Sequence, residues 1–240
     1  MNFLTWQSIY RQIIADFSFS EPDDKNAARI LNILLEKHPR FIPFLDLKPI
    51  INKKNVVVIG ASTKVSKQIN HNIDLIKTSV CICADGATSA LIKHKIIPDI
   101  IVTDLDGNIN DQLQSNSEGS ILVIHAHGDN IETIKKIIPA IDGKITGTVQ
   151  TDPSNLAYVS NVGGFTDGDR AAYLAAHFNA SKISLIGFDF HGPIGSFSNP
   201  KKKDIQMKKK KLLWAERLIN ILQNKHHIEF VDEFDEMGSE

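Results

Sequence analysis

The sequence predicts an α/β protein: a three-layer α/β/α sandwich around a mostly parallel sheet, preceded by a small helical N-terminal module. Short, continuously apolar runs recur from residue 55 onward, the pattern of strands buried on both faces. They alternate with segments such as NIETIKKIIPAI at 130–141 and RAAYLAAHF at 170–178, which are read as helices. The first 45 residues show the helical period twice.

In chain order, Phe3, Trp6, Ile9, Ile13, Ile14 and Phe17 fall at helical spacing. Ala27, Ile30, Leu31, Leu34 and Leu35 repeat it after SEPDD at 20–24, where a hydroxyl and acids meet the free N–H groups of a helix start. Pro39, Pro43 and Pro49 then interrupt the pattern. This places a helical module at 1–50, an α/β domain at 51–235 and a flexible tail at 236–240. Strands are expected at 55–60, 79–84, 99–104, 120–126, 144–149, 157–162 and 182–188. A last helix follows at about 205–223, with an edge strand at 226–231.

At 240 residues, 42% hydrophobic and 23% charged, the chain has ample material for a core and is neither fibrous nor disordered in composition. No apolar stretch approaches the roughly 18 to 20 residues that span a bilayer. The start is not signal-like either, so a cytoplasmic protein without a membrane partner is expected. Cys81 and Cys83, two apart in a strand, share a face and cannot readily bridge, which reads as core. Net charge is -1, yet KKKDIQMKKKK at 201–211 carries +6, leaving -7 on the rest. One basic tract on an acidic chain suits a local anion such as nucleotide phosphate and argues against a nucleic-acid partner. Lys208 and Lys211 share a helical face and are the candidates to meet it, the plain alternative being a solvated face.

Ligands of an open parallel sheet bind beyond the carboxyl ends of its strands. Here those ends carry Gly60 and Ser62, Asp85 and Gly86, Asp104 and Asp106, His125, His127 and Asp129, then GGFTDGDRA at 163–171, and Asp189. Asp104 and Asp106 are two apart; on an extended chain their Cα atoms would lie about 6.5 to 7 Å apart with both carboxylates on one side. Two such anions need a cation between them, and Mg²⁺ is the natural one, with Asp85 and Asp129 completing or orienting its shell. Any one aspartate is equally a helix cap or turn residue, and Asp99, before its strand, is read as a turn. GASTKVS at 60–66 has neither GxGxxG nor a Walker lysine, leaving a small-residue turn able to accept phosphate or ribose. In GGFTDGDRA, Thr166 is a plausible N-cap with Asp167 and Asp169 in the first turn. The functional reading has Gly164 and Phe165 under a ligand, Thr166 or an acid at the donor edge of a heterocycle, and Arg170 on phosphate. His125 and His127 are either metal or catalytic groups or a hydrogen-bonding wall.

ADGATSALIKHKIIPDIIVTDLDG at 84–107 resembles the thiamine pyrophosphokinase pattern: a DGG-type turn, a helix, PD, an apolar strand and a DxD pair. HAHGDN at 125–130 departs from the DxTD form of those enzymes. With TDLDG, GGFTDGDRA, GFDF and the lysine-rich C-terminal helix, the chain is instead similar to the archaeal 6-hydroxymethyl-7,8-dihydropterin pyrophosphokinases over about residues 52–231. The resemblance implies Mg²⁺-dependent transfer of diphosphate from ATP to the pterin hydroxymethyl group, with release of AMP, in the making of folate-type or methanopterin-type coenzymes. It assigns Asp104 and Asp106 to Mg²⁺, with Asp85 and Asp129 as further acidic rim residues. Taken together, the expected metal ligands are Asp104, Asp106 and Asp129, with Asp85 also catalytic. Gly60, Ser62, Gly86, Thr166, Arg170, Lys208 and Lys211 are expected on ATP, and Gly164, Phe165, Asp167 and Asp189 on the dihydropterin alcohol. A homodimer is an open expectation. The alternatives are the same chemistry on another acceptor such as thiamine, and a non-catalytic nucleotide-binding module.

Overall fold

The computed structural model describes residues 3–192 and 205–231. The expected tail at 236–240 and the first residues of the basic tract, 201–204, lie outside the described residues. Among the described residues one sheet of eight parallel strands runs in the order β6-β5-β4-β3-β2-β1-β7-β8. The strands are β1 (Asn55–Ile59), β2 (Val80–Ala84), β3 (Ile100–Thr103), β4 (Ile121–Ala126), β5 (Ile145–Val149), β6 (Val159–Ser160), β7 (Lys182–Ile186) and β8 (Ile228–Phe230). The helices are α1 (Phe3–Phe17), α2 (Glu21–Glu36), α3 (Lys48–Ile51), α4 (Val65–His71), α5 (Ile73–Thr78), α6 (Ala87–Lys93), α7 (Ile109–Ser117), α8 (Ile131–Ile137), α9 (Asp167–His177) and α10 (Ile205–Gln223).

Successive side chains of a strand leave opposite faces, and both faces are covered, so the strands read as unbroken apolar runs. Val56, Val58, Ile82, Val102 and Val123 pack under α1, α9 and α10. Val57, Ile59, Cys83, Ile101 and Ile124 pack under α2, α4, α6 and α8. Both cysteines are buried and free, as their spacing suggests. Among the described residues no helix is long and apolar enough to cross a membrane.

The two N-terminal helices divide between the faces. Trp6, Ile9, Tyr10, Ile13 and Phe17 of α1 join one core, and Ala27, Ala28, Leu31 and Leu35 of α2 join the other. The Ser20 hydroxyl starts α2 by accepting the Asp23 N–H at 3.3 Å, and Glu21, Asp23 and Asp24 meet the positive end of its dipole. The turn between α1 and α2 sits beside the carboxyl ends of β4 and β5. The indole of Trp6 donates to the Gln150 carbonyl at 2.8 Å, and Asp24 accepts the Gly128 N–H at 2.8 Å.

The sheet grows in one direction from β1 to β6, and then the chain returns to add β7 on the far side of β1. That return begins where the expected strand at 157–162 stops early. Asn161 accepts the Gly163 N–H and donates to the Thr151 carbonyl, and Gly163 and Gly164 take φ of +86° and +87°. The crossing delivers the start of α9 to the rim above β2 and β3.

Candidate functional site

A cleft of about 290 Å³ lies along the carboxyl ends of β1 to β5, roofed by α9, α10 and the α1–α2 turn. Among the described residues eight aspartates line it: Asp23, Asp24, Asp85, Asp104, Asp106, Asp129, Asp167 and Asp189. Lys208 and Lys211 face them from α10.

The acidic centre is built by one strained turn. Strand β3 ends at Thr103, and the next residues do not stay extended: Leu105 has φ +67°. A left-handed leucine costs on the order of 1 kcal/mol. Burial of its side chain in the core beneath offsets this, as does its N–H, which donates to the Thr103 hydroxyl at 2.8 Å. The turn brings the Asp106 N–H to Asp104 Oδ1 at 3.1 Å. A left-handed turn, and not strand pitch, therefore sets the Asp104–Asp106 pair on one cleft.

Asp85, at the end of β2, is 4% exposed. Its Oδ2 accepts from the Thr103 hydroxyl at 2.7 Å and the Gly107 N–H at 3.2 Å, while its Oδ1 is buried without a partner. A Cβ on Gly107 would lie 1.6 Å from that Oδ1, so only glycine fits. Burial first, and the charge of Asp104 second, push the Asp85 carboxyl up to about 6. Burial also opposes ionisation of Asp104, but His127 outweighs it and holds that carboxyl below its ordinary range. The bond runs from His127 Nε2 to Asp104 Oδ2 at 3.3 Å, and His127 Nδ1 accepts the Asp129 N–H at 3.3 Å, which fixes the proton on Nε2. Partial desolvation in the cleft, followed by Asp104 and Asp85, raises Asp106 to about 7. Asp167 is pushed well above the carboxylate range by desolvation and by the same three neighbours.

Carboxylate oxygens of Asp85, Asp104 and Asp167 lie within 4.8 Å of one another. Three acids that repel each other, one with an orphaned buried oxygen, are a donor set that fits a hard divalent cation. The expected ligand set is Asp104, Asp106 and Asp129; the structure gathers Asp104 with Asp85 and Asp167 instead. Asp129 is exposed on the turn after β4, and Asp106 is exposed at the mouth.

Of the other expected contacts, Gly60, Ser62, Gly86, Phe165, Thr166, Lys208, Lys211 and Asp189 all line the cleft. Gly60 and Gly187 tie β1 to β7 so closely that a Cβ on Gly60 would meet the Gly187 carbonyl at 2.6 Å. Ser62 is buried there with an unpartnered Oγ. Asp189 closes a turn by accepting the N–H groups of His191 and Gly192. Phe165 packs on Phe17 and Phe19, with Lys211 Nζ about 6 Å from two of these rings (5.9 and 6.0 Å).

Two residues expected on ligand lie beneath the cleft. Arg170 is 1% exposed, and its guanidinium turns to the carbonyls of Gly163 and Phe165, because α9 is buried on its whole inner side. Gly164 is the residue over which Arg170 packs; a Cβ there would meet Arg170 Cα at 2.5 Å. Thr166 does sit at the N-cap of α9, where Asp169 reaches back to accept the N–H groups of Phe165 and Thr166 and the Thr166 hydroxyl. Asp23, Asp24 and Gln150 are not among the residues expected from the sequence. Asp24 accepts from Tyr10, Gln150 and the Gly128 N–H, a role hidden in sequence because three acids at a helix start read as capping.

The profile of the 6-hydroxymethylpterin diphosphokinase MptE-like family matches residues 32–194. The chain belongs to that family. It is 43% identical over 242 residues to a 6-hydroxymethyl-7,8-dihydropterin pyrophosphokinase from Methanocaldococcus jannaschii, covering 96% of this chain and all of the relative (100%). It is 37% identical to the enzyme of that name from Pyrococcus furiosus, covering 97% of this chain and 99% of the other. A solved thiamine pyrophosphokinase from Bacillus subtilis overlaps with a TM-score of 0.39 at 16% identity, over 75% of this chain and 61% of that one, too loose to carry function. Within the MptE-like family match fall β1 to β7 and the three gathered carboxylates, whereas the α1–α2 turn and the first turn of α2, which line one end of the cleft through Phe19, Ser20, Asp23 and Asp24, precede it.

Proposed function

We propose that this family member transfers the β,γ-diphosphate of ATP to the hydroxymethyl group of 6-hydroxymethyl-7,8-dihydropterin, releasing AMP, in a Mg²⁺-dependent cytoplasmic reaction. The observation that carries this reading is the Asp85–Asp104–Asp167 group, with its orphaned Oδ1, facing Lys208 and Lys211 across one cleft. Near-full-length similarity to relatives named for this activity supports it.

Asp85, Asp104 and Asp167 would hold Mg²⁺, which when bound neutralises phosphate oxygens and lets a triphosphate approach an acidic wall. Lys208 and Lys211 bind the phosphates from the opposite side and stabilise charge that builds on them. The phenylalanine wall and the β1–β7 glycine turn exclude water and hold the two substrates in line, the main demand of a loose phosphoryl-transfer transition state. Asp129, at the rim outside the three-carboxylate group, takes the hydroxyl proton. The test is incubation of the chain with ATP, Mg²⁺ and the dihydropterin alcohol, followed by mass detection of pterin diphosphate and AMP. Formation of ADP or of no product would refute the proposal.

A further inference from the structure

Beyond the carboxylates, the cleft has two ends. Near β1 and β7 it is walled by Gly60, Ser62 and Phe188, and near β4 and β5 by His125, Gln150 and Asp24. The second end carries buried hydrogen-bonding side chains. His125 is 2% exposed and lines the cleft, yet its Nε2 has no partner. The Thr148 hydroxyl donates to the Ile124 carbonyl at 3.4 Å, so its oxygen accepts from His125 Nδ1 at 3.2 Å and the lone pair falls on Nε2. Burial and the nearby Arg170 both keep this ring neutral. Gln150, just past the end of β5, is also buried and lines the same cleft, and its Nε2 donates to Asp24 at 2.8 Å. A carboxylate only accepts, so the amide orientation is fixed and Oε1 remains as its acceptor.

Resting on the proposed pterin chemistry, we infer that His125 Nε2 and Gln150 Oε1 bind the donor edge of the pterin ring, so that the acceptor occupies the β4–β5 end and the nucleotide the β1–β7 end. A 2-amino-4-oxo ring presents a ring N–H beside an exocyclic amine, two adjacent donors for two acceptors. Adenine flanks its amine with ring-nitrogen acceptors, which two protein acceptors would repel. A donor left unpaired in a buried site is strongly disfavoured, which makes this pair specificity-determining.

Asparagine reproduces the Nδ1 side of histidine and lacks Nε2, whereas glutamine places an oxygen near the Nε2 position. His125→Asn is therefore expected to raise KM and the fluorescence-measured Kd for the dihydropterin alcohol about 10- to 100-fold. Its Kd for a non-hydrolysable ATP analogue should stay within about twofold, and His125→Gln should recover part of the loss. If His125→Asn melts far below the wild type, Gln150→Met carries the same prediction. A folded variant with unchanged pterin Kd, or with equal loss for both substrates, overturns the inference while wild-type turnover still upholds the function. A wild-type chain that neither binds nor diphosphorylates the pterin overturns both.

Discussion

Asp85→Asn should make the metal-free protein more stable and the enzyme inactive. In the folded chain the Asp85 carboxyl titrates at about 6 against an ordinary 3.8. At about 1.4 kcal/mol per pH unit, holding it ionised above that pH costs of the order of 3 kcal/mol. Asparagine keeps one oxygen for the Thr103 hydroxyl and the Gly107 N–H, so both donors stay satisfied. It removes the charge that Asp104 repels and turns an amine toward the other acids. For a chain of this size the gain corresponds to a rise in Tm of the order of 5 °C at pH 8. Because the folded pKa is raised, the cost is absent below the unfolded value near 3.8, grows as pH rises through about 6, and is full above it. The difference between variant and wild type should follow that window and vanish in acid. Thermal melts from pH 4 to 8, with and without Mg²⁺, read both halves of the argument. Wild-type Tm should rise with Mg²⁺ by mass action, and Asp85→Asn should respond weakly or not at all. A variant less stable than wild type without metal, or one that keeps the full Mg²⁺ response, would refute the reasoning.

Asp104→Ala should abolish product formation with the fold retained, read by mass detection of pterin diphosphate alongside circular dichroism; turnover within tenfold of wild type would remove Asp104 from the proposed cation site. Replacing Lys208 and Lys211 together by alanine should raise KM for ATP at least about tenfold and flatten its salt dependence, while the Kd of the pterin alcohol stays near wild type. Gly164→Ala should cost more than about 2 kcal/mol, since its φ is +87° and the new Cβ would lie 2.5 Å from Arg170 Cα. A melt within about 1 °C of wild type would show that this loop has room to yield.

The parts of the fold that depend on neighbours along the chain are legible in the amino-acid sequence. The runs around Val57, Cys83, Ile101 and Leu122 are apolar at nearly every position because both faces of the sheet are covered, and that requirement is written locally. Turn and cap residues likewise declare themselves: Ser20 and Thr166 start helices where expected. The aspartates at strand ends also announce one acidic rim, and the structure lines a single cleft with them.

Proximity between distant segments is not legible in the same way. Sequence reasoning gives Asp167 to a heterocycle and Asp129 to a cation, because each is judged by the strand it follows. The return from β6 to β7 carries the start of α9 back across the sheet and sets Asp167 beside Asp85 and Asp104. Arg170 reads as a phosphate ligand, yet α9 lies against the sheet, so the same helix turn that exposes Asp167 to the cleft buries the guanidinium. Asp24 and Gln150, on α2 and at the end of β5, meet only because the N-terminal helices straddle the sheet. Sequence by itself thus determined the layers, the parallel sheet and the acidic rim, all set by periodicity and local turn chemistry. Tertiary structure alone decided which carboxylates share a centre and which acceptors line the far end, because contacts between distant segments are fixed by the path of a crossover that no local pattern encodes.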